Sequence, residues 1–326
     1  MKNENILEVS NLKTYFKIKE GIVKAVDGVS FSLKKGESLG LVGESGCGKT
    51  TTALSIIKLL ADNGYIEDGK ILFKEKDITK MTESEMLPIR WKDISIIFQG
   101  SMNALNPVMR VSDQIVEAIQ LHENISDKEA RERVTKLLEL VNLDTGLIDS
   151  YPHEFSGGMR QRAMITMALA CNPGLIIGDE PTTALDLMVQ AQIIDLINDL
   201  RKKLDTSMII ITHDLSIITE ICDRIAVMYA GKIAEIGTVQ DVIFNYKHPY
   251  TEKLIKAFPN IYREREMVES IPGFPPNLLD PQKGCLFADR CHKKIGEICE
   301  KVDPNLIKVG GKNHMVACHL WEGKDE

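Results

Sequence analysis

No apolar run in these 326 residues approaches the roughly 20 that a membrane-spanning helix needs. Ala163–Cys171 is too short, and Arg160 and Arg162 lie just before it. The first ten residues are polar and acidic, unlike a secretory leader. A cytosolic chain is therefore expected, and any membrane path must come from other subunits. A basic excess is missing too: 40 Lys and Arg stand against 47 Asp and Glu, a net charge of -7. Nucleic acid is thus not expected as a partner, because its binders are usually basic. Seven cysteines is an odd number, and with no export signal it argues against a disulfide framework. No fixed-period repeat or low-complexity tract is present.

What is present is an ordinary globular composition, 44% hydrophobic and 27% charged. Leu7–Val9 and Ser38–Val42 read as short buried strands, and Thr50–Leu60 as a helix. Asn103–Ile148 is mostly helical in pattern. Within it, Ser126 with Glu129 makes a capping box, and Val134, Leu137, Leu138 and Val141 share one helix face. Strand, helix and strand return at Leu175–Ile177, Val189–Leu204 and Met208–Thr212. This alternation predicts an α/β fold with a mostly parallel core sheet and an inserted helical subdomain at about 100–170. Five prolines between Pro259 and Pro281 predict an extended connector into a small Cys-rich C-terminal extension. The expected division is 1–258 and 259–326.

Gly43-Glu-Ser45-Gly46-Cys47-Gly48-Lys49-Thr50 fits the phosphate-loop pattern. Its glycines let backbone N–H groups turn toward phosphates, Lys49 reaches the β- and γ-phosphates, and the Thr50 hydroxyl can hold Mg²⁺. The helix that follows, Thr51 included, aims its positive end at the same place. Cys47 sits between glycines at that helix start, where a thiol's pKa can fall; it reads as a small tolerated residue. Leu175-Ile-Ile-Gly-Asp179-Glu180 ends an apolar strand in two carboxylates. Asp179 can bind Mg²⁺, and Glu180 can orient or deprotonate an attacking water. Together these motifs predict an NTPase.

Further motifs select among NTPases. Tyr151-Pro-His-Glu-Phe-Ser156-Gly157-Gly158-Met159 precedes the acidic strand. It resembles the signature sequence of ABC ATPases, with Phe155 and Met159 replacing the usual flanking Leu and Gln. Ser156, Gly157 and Gly158 can donate to a γ-phosphate from a helix N-terminus. Gln99 resembles the Q-loop glutamine that senses metal and water. Ala184-Leu185-Asp186 resembles the D-loop, and His213 the switch histidine on the γ-phosphate. Phe16 resembles the aromatic that stacks on adenine, with Tyr15 as the alternative. The resemblance covers about Leu7–Asn245. It implies ATP and Mg²⁺ as ligands, the latter on Thr50, Gln99 and Asp179, and an antiparallel N-terminal sheet beside the core. It also implies head-to-tail pairing with a second ATPase subunit, with Met102–Val108 passing the motion to two transmembrane permease subunits.

Cys285, Cys291, Cys299 and Cys318 crowd the last 42 residues. Four thiolates suit a soft metal, with reduced structural thiols as the alternative, although the spacing is that of neither a common zinc ribbon nor a common ferredoxin. Ile271-Pro-Gly-Phe-Pro-Pro-Asn-Leu-Leu, Gly284–Cys291 and Val316-Ala-Cys-His319 resemble the C-terminal extension of oligopeptide/dipeptide importer ATPases. They lie closer to the D-type subunit than to its F-type partner. That resemblance implies a 4Fe–4S cluster on the four cysteines, with Zn²⁺ as the alternative. His292, His314 and His319 stand nearby and read as structural. The implied function is ATP-driven uptake of di- or oligopeptides from the cytoplasmic face of the membrane, with an extracytoplasmic peptide-binding protein acting indirectly. Nickel-chelate or glutathione import is the alternative within transport, and a soluble non-transport ABC ATPase the alternative outside it.

Overall fold

The computed structural model describes residues 4–100, 104–183, 185–257, 271–310 and 313–323. Met102, Asn103, Ala184 and the connector from Pro259 to residue 270 lie outside them. In chain order the elements begin β1 (Asn5–Ile18), β2 (Gly21–Lys34), β3 (Ser38–Val42), α1 (Lys49–Ile56), β4 (Gly64–Phe73), β5 (Lys76–Asp77), α2 (Glu83–Met86) and β6 (Ile94–Ile97). Next come α3 (Val111–His122), α4 (Asp127–Leu140), α5 (Gly157–Leu169), β7 (Leu175–Asp179), α6 (Leu187–Leu204) and β8 (Ser207–Ile211). The chain then runs through α7 (Leu215–Ile221), β9 (Arg224–Tyr229), β10 (Lys232–Thr238), α8 (Val239–Phe244), α9 (Pro249–Lys256), α10 (Ile298–Lys301), β11 (Leu306–Lys308) and β12 (Met315–Ala317).

These elements fall into two compact units. The first holds the chain up to Ile6, Leu33–Ser38 and Lys80–Ile211. Its strands β8-β7-β6 are parallel, with Leu175 level with both Ser207 and Ile94. Every residue of β7 and β8 is buried, so both strands are continuous apolar runs rather than alternating ones. The expected helical stretch is α3, α4 and α5. Ser126 and Glu129 do form a capping box at the start of α4, with the Ser126 N–H donating to Glu129 Oε2 at 2.9 Å. Val134, Leu138 and Val141 turn inward while Leu137 is half-buried.

The second unit holds Leu7–Ser32, Leu39–Thr79 and the chain from Thr212. One of its sheets, β2-β1-β4-β5, pairs β1 with β4 antiparallel, as expected of an N-terminal sheet. The other run of strands is β11-β12-β10-β9-β3. Only β3 and β9 are parallel in it; β10 turns back on β9, and β12 adds to β10 with Glu235 opposite Val316. The C-terminal strands therefore extend the edge of β10. Glu235, fully buried, ties that edge down: it accepts from His314 Nε2 at 2.7 Å and from the N–H groups of Lys247 and His248 at 2.7 and 2.8 Å. A buried carboxylate is tolerable only when it is so fully bonded.

Candidate functional site

The phosphate loop lies in the second unit, between β3 and α1. Two of its glycines are required by geometry. Gly43 has φ +147° and a Cβ there would stand 2.1 Å from the Met228 carbonyl oxygen. Gly48 has φ +101° and a Cβ would stand 2.4 Å from the Ala25 oxygen. Both clashes are with backbone, which has little room to give, so any side chain there would distort the loop. Gly48 caps α1 without a side-chain hydrogen bond, and no acidic residue occupies its first turn. No side chain of its own cap or first turn competes for the positive dipole end of this helix, which favours an anion there. Lys49 is the first helical residue and only 8% exposed. Its ammonium donates to the carbonyls of Gly43 at 2.8 Å and Glu44 at 2.9 Å, which lays it over the loop. Ser45, Gly46 and Thr50 are exposed on the loop and Thr51 is half-buried beside them.

His213 lines a cavity of about 280 Å³ together with Gly43, Glu44 and Ser45. The structure thus brings the switch-histidine position and the phosphate loop to one space. Phe16 is half-exposed on β1 opposite Gly64, and its ring edge lies where a Cβ of Gly64 would be, 2.6 Å away. Tyr15, the alternative, is engaged: its hydroxyl donates to Asp27 Oδ1 at 2.9 Å and its ring meets Tyr65 edge-on. Cys47 departs from expectation. It is 4% exposed, and burial pushes its thiol up despite the opposing pull of Lys49. Desolvation of the thiolate outweighs the helix start here.

The carboxylates lie in the first unit. Asp179, 3% exposed, ends β7. Glu180 follows at φ +48°, a left-handed conformation that costs a non-glycine residue roughly 1–3 kcal/mol. Its N–H donates to the Ile211 carbonyl at 2.8 Å, which holds the turn. Gln99 Nε2 and Thr183 Oγ1 each donate to Glu180 Oε2 at 2.8 Å. Gln99 and Glu180 are 81 residues apart, and the β6–β7 pairing brings them together. Thr183 was not singled out from sequence; the only signal was its place three residues after the glutamate.

The signature residues also sit in this unit. Ser156 caps α5, its oxygen accepting from the Met159 N–H at 3.3 Å, so its O–H proton can still be donated. Gly157 and Gly158 open that helix, and a Cβ on Gly158 would meet Val189 of α6 at 2.7 Å. Asp186 caps α6, accepting from the Met188 and Val189 N–H groups. Beside it, Leu187 and Met188 are 83% and 77% exposed.

The four C-terminal cysteines are less well served by geometry. All seven cysteines are free thiols. Cys285 and Cys291 each lie close enough to feel the charge of other members of the group, and Cys318 feels all three others. Yet among the described residues no group of three or more His, Cys, Asp or Glu side chains is placed to hold a metal ion. Burial pushes Cys285 up to about 11 and Cys318 up to about 12, so both are thiols at neutral pH. The 4Fe–4S expectation, and the Zn²⁺ alternative, therefore find the right donors in one neighbourhood but no ligand geometry. The nearby histidines have other partners: His314 pairs with Glu235, His319 with Glu322 and the Val302 carbonyl, and His292 with Glu252.

Residues 26–183 match the family model described as ABC transporter, and residues 234–299 the one described as oligopeptide/dipeptide transporter, C-terminal region. The dipeptide transport ATP-binding protein DppD of Bacillus subtilis is 46% identical over 326 residues, 99% of this chain and 97% of that protein. The oligopeptide transport ATP-binding protein OppD of Escherichia coli is 47% identical over 301 residues, 92% and 89% of the two chains. Among solved structures, the dimeric post-hydrolysis state of the ATP-binding cassette MJ0796 bound to ADP and Pi matches with a TM-score of 0.65. It is 26% identical and covers 72% of this chain and 98% of that one. The phosphate loop, the paired carboxylates and the capped signature helix thus come with near-full-length likeness, and the chain belongs to the family of ABC transporter ATP-binding proteins that carry the oligopeptide/dipeptide transporter C-terminal region.

Proposed function

We propose that this chain binds ATP and hydrolyses it to ADP and phosphate, powering import of di- or oligopeptides as the peripheral subunit of an ABC importer. The observation that carries hydrolysis is Glu180, fixed between Gln99 and Thr183 at the end of a buried strand. A carboxylate so held can orient a water and take its proton as the water oxygen bonds to the γ-phosphorus and ADP leaves. Lys49 and the N–H groups of Gly46, Gly48 and Thr51 take the phosphates, His213 the γ-phosphate, and Phe16 the adenine. Mg²⁺ is assigned to Thr50, Gln99 and Asp179; a buried carboxylate and a hydroxyl are the hard oxygen donors it favours, and it would neutralise phosphate charge.

Ser156, Gly157, Gly158 and Asp186 are assigned to the second cassette across an ATP. The exposed Leu187 and Met188 beside Asp186 support a covered surface there. A diverged F-type chain is the proposed partner, with two permease subunits and, indirectly, an extracytoplasmic peptide-binding protein. The described residues contain no helix long and apolar enough to cross a membrane; attachment at the cytoplasmic face through such permeases is the proposed placement. Peptide as cargo rests on the likeness to dipeptide and oligopeptide transport proteins. The finer reading of Cys285, Cys291, Cys299 and Cys318 is a 4Fe–4S site, supported by four thiols in one neighbourhood; ligation would require them to lose protons and draw together.

One preparation tests both readings. The chain, affinity-purified from membranes without oxygen, should bring two multispanning proteins with it. It should also carry about four iron and four sulfide, lost in Cys285→Ser. Recovery without membrane proteins would remove the transport role. A metal-free chain, or zinc alone, would remove the cluster.

A further inference from the structure

Glu44 is the second residue of the phosphate loop and the only charged one besides Lys49. A carboxylate there faces a chemical difficulty. It lines the same cavity as Gly43, Ser45 and His213, where a polyphosphate is to bind, and like charges at close range repel. The loop would weaken its own ligand unless that charge were cancelled.

The cancelling group comes from 246 residues along the chain. Arg290 Nη1 donates to Glu44 Oε2 at 2.6 Å and Arg290 Nη2 to Glu44 Oε1 at 2.8 Å, the parallel two-bond geometry that suits guanidinium to carboxylate. The rest of the guanidinium is fixed as well. Its Nε donates to the Pro272 carbonyl at 2.7 Å and Nη1 also to the Tyr229 hydroxyl at 3.1 Å. Its plane lies near the rings of Tyr229 and Phe287, with centroids 5.7 and 5.9 Å away. The Arg290 side chain is only 5% exposed, against 24% for Glu44. The backbone of Glu44 is held from the same side: its N–H donates to the hydroxyl of fully buried Tyr250 at 2.9 Å. Tyr229, Tyr250 and Phe287 pack on one another, with ring centroids 4.6–5.3 Å apart. So a segment of the C-terminal region, Leu286 to Arg290, is built onto the start of the phosphate loop.

We infer that Arg290 is a positioning residue for nucleotide binding: it fixes the first turn of the phosphate loop through Glu44 and neutralises the carboxylate that the incoming polyphosphate would meet. The inference rests on reading Gly43–Thr50 as the ATP site, and it gives the C-terminal region a task in the ATPase cycle that needs no metal. Arg290 touches no reacting atom. Its loss acts through Glu44 on ground-state and transition-state binding alike, so KM should move and kcat should not.

The test uses the full chain in its assembled transporter, with MgATP as the probe. Arg290→Ala should raise KM for ATP about tenfold or more while kcat at saturation changes less than about threefold. Arg290→Ala with Glu44→Gln should recover most of the lost affinity, because the second change removes the charge left unpaired by the first. Arg290→Lys should fall between, keeping the charge but not the two-bond fork. A KM within twofold of wild type in a folded Arg290→Ala chain would overturn the inference. So would a double variant as weak as the single one, since that is the pattern of a merely structural arginine. Should Arg290→Ala not fold, Arg290→Lys carries the test alone: a KM raised about threefold or more with kcat unchanged supports the inference, and a wild-type KM overturns it. A wild-type chain that binds no ATP would instead remove the reading of the loop itself.

Discussion

Glu180→Gln will leave ATP bound and stop its hydrolysis. The exchange is nearly isosteric, and its amide oxygen can still accept from Gln99 and Thr183, which now donate to Oε2 at 2.8 Å. The main-chain bond from residue 180 to the Ile211 carbonyl is untouched, so the strained turn that aims the side chain survives. What is lost is the ability to take a proton from water. A positioned general base contributes typically 10²–10⁴-fold, so kcat should fall by about a hundredfold or more. Nucleotide affinity should stay near that of the wild type, because Glu180 contributes no loop N–H and no cation. With the γ-phosphate uncleaved, the paired cassettes should remain closed and elute as a stable complex in ATP. Phosphate release and size-exclusion in ATP check the two halves of this. Undiminished turnover would take Glu180 out of its role.

Lys49→Ala should do the reverse and weaken nucleotide binding while leaving the catalytic carboxylate in place. Its ammonium has two jobs. It ties the carbonyls of Gly43 and Glu44, which hold the loop in register, and it supplies the one cationic side chain of the loop. Hydrogen bonds to a charged group are worth about 1.5–3 kcal/mol each, so losing one to a phosphate corresponds to about a ten- to hundredfold rise in Kd for ATP. Titration with a fluorescent ATP analogue reads this directly. Wild-type affinity in Lys49→Ala would contradict the assignment of the loop. The two variants together separate binding from the chemical step: one moves Kd with the base intact, the other moves kcat with the loop intact.

Much of this was legible because the informative residues sit close together in sequence. The glycines and Lys49 of the loop, the carboxylates after Ile177, and the Ser126–Glu129 capping box are local patterns, and local patterns survive folding unchanged. What could not be read depends on contacts between distant segments. Arg290 and Glu44 are 246 residues apart, and nothing in the spacing of either predicts a salt bridge. Glu235 is buried and holds His314, 79 residues further along the chain. Cys47 shows the other kind of failure. Its place at a helix start argues for a lowered thiol pKa, but the solvent exclusion that reverses the sign is a property of the packed loop. The boundaries were off for a related reason: β1 runs to Ile18 rather than stopping near Val9, because pairing with β4 continues to Phe16 opposite Gly64.

If ATP hydrolysis by this chain drives peptide import, blocking hydrolysis must stop uptake. The direct measurement is uptake of labelled di- and oligopeptides by cells of the native host whose only copy of the chain carries Glu180→Gln. Uptake should be lost while the variant chain stays at normal level in the membrane fraction, and the wild-type chain should restore it. Peptide uptake at the wild-type rate in those cells would contradict it.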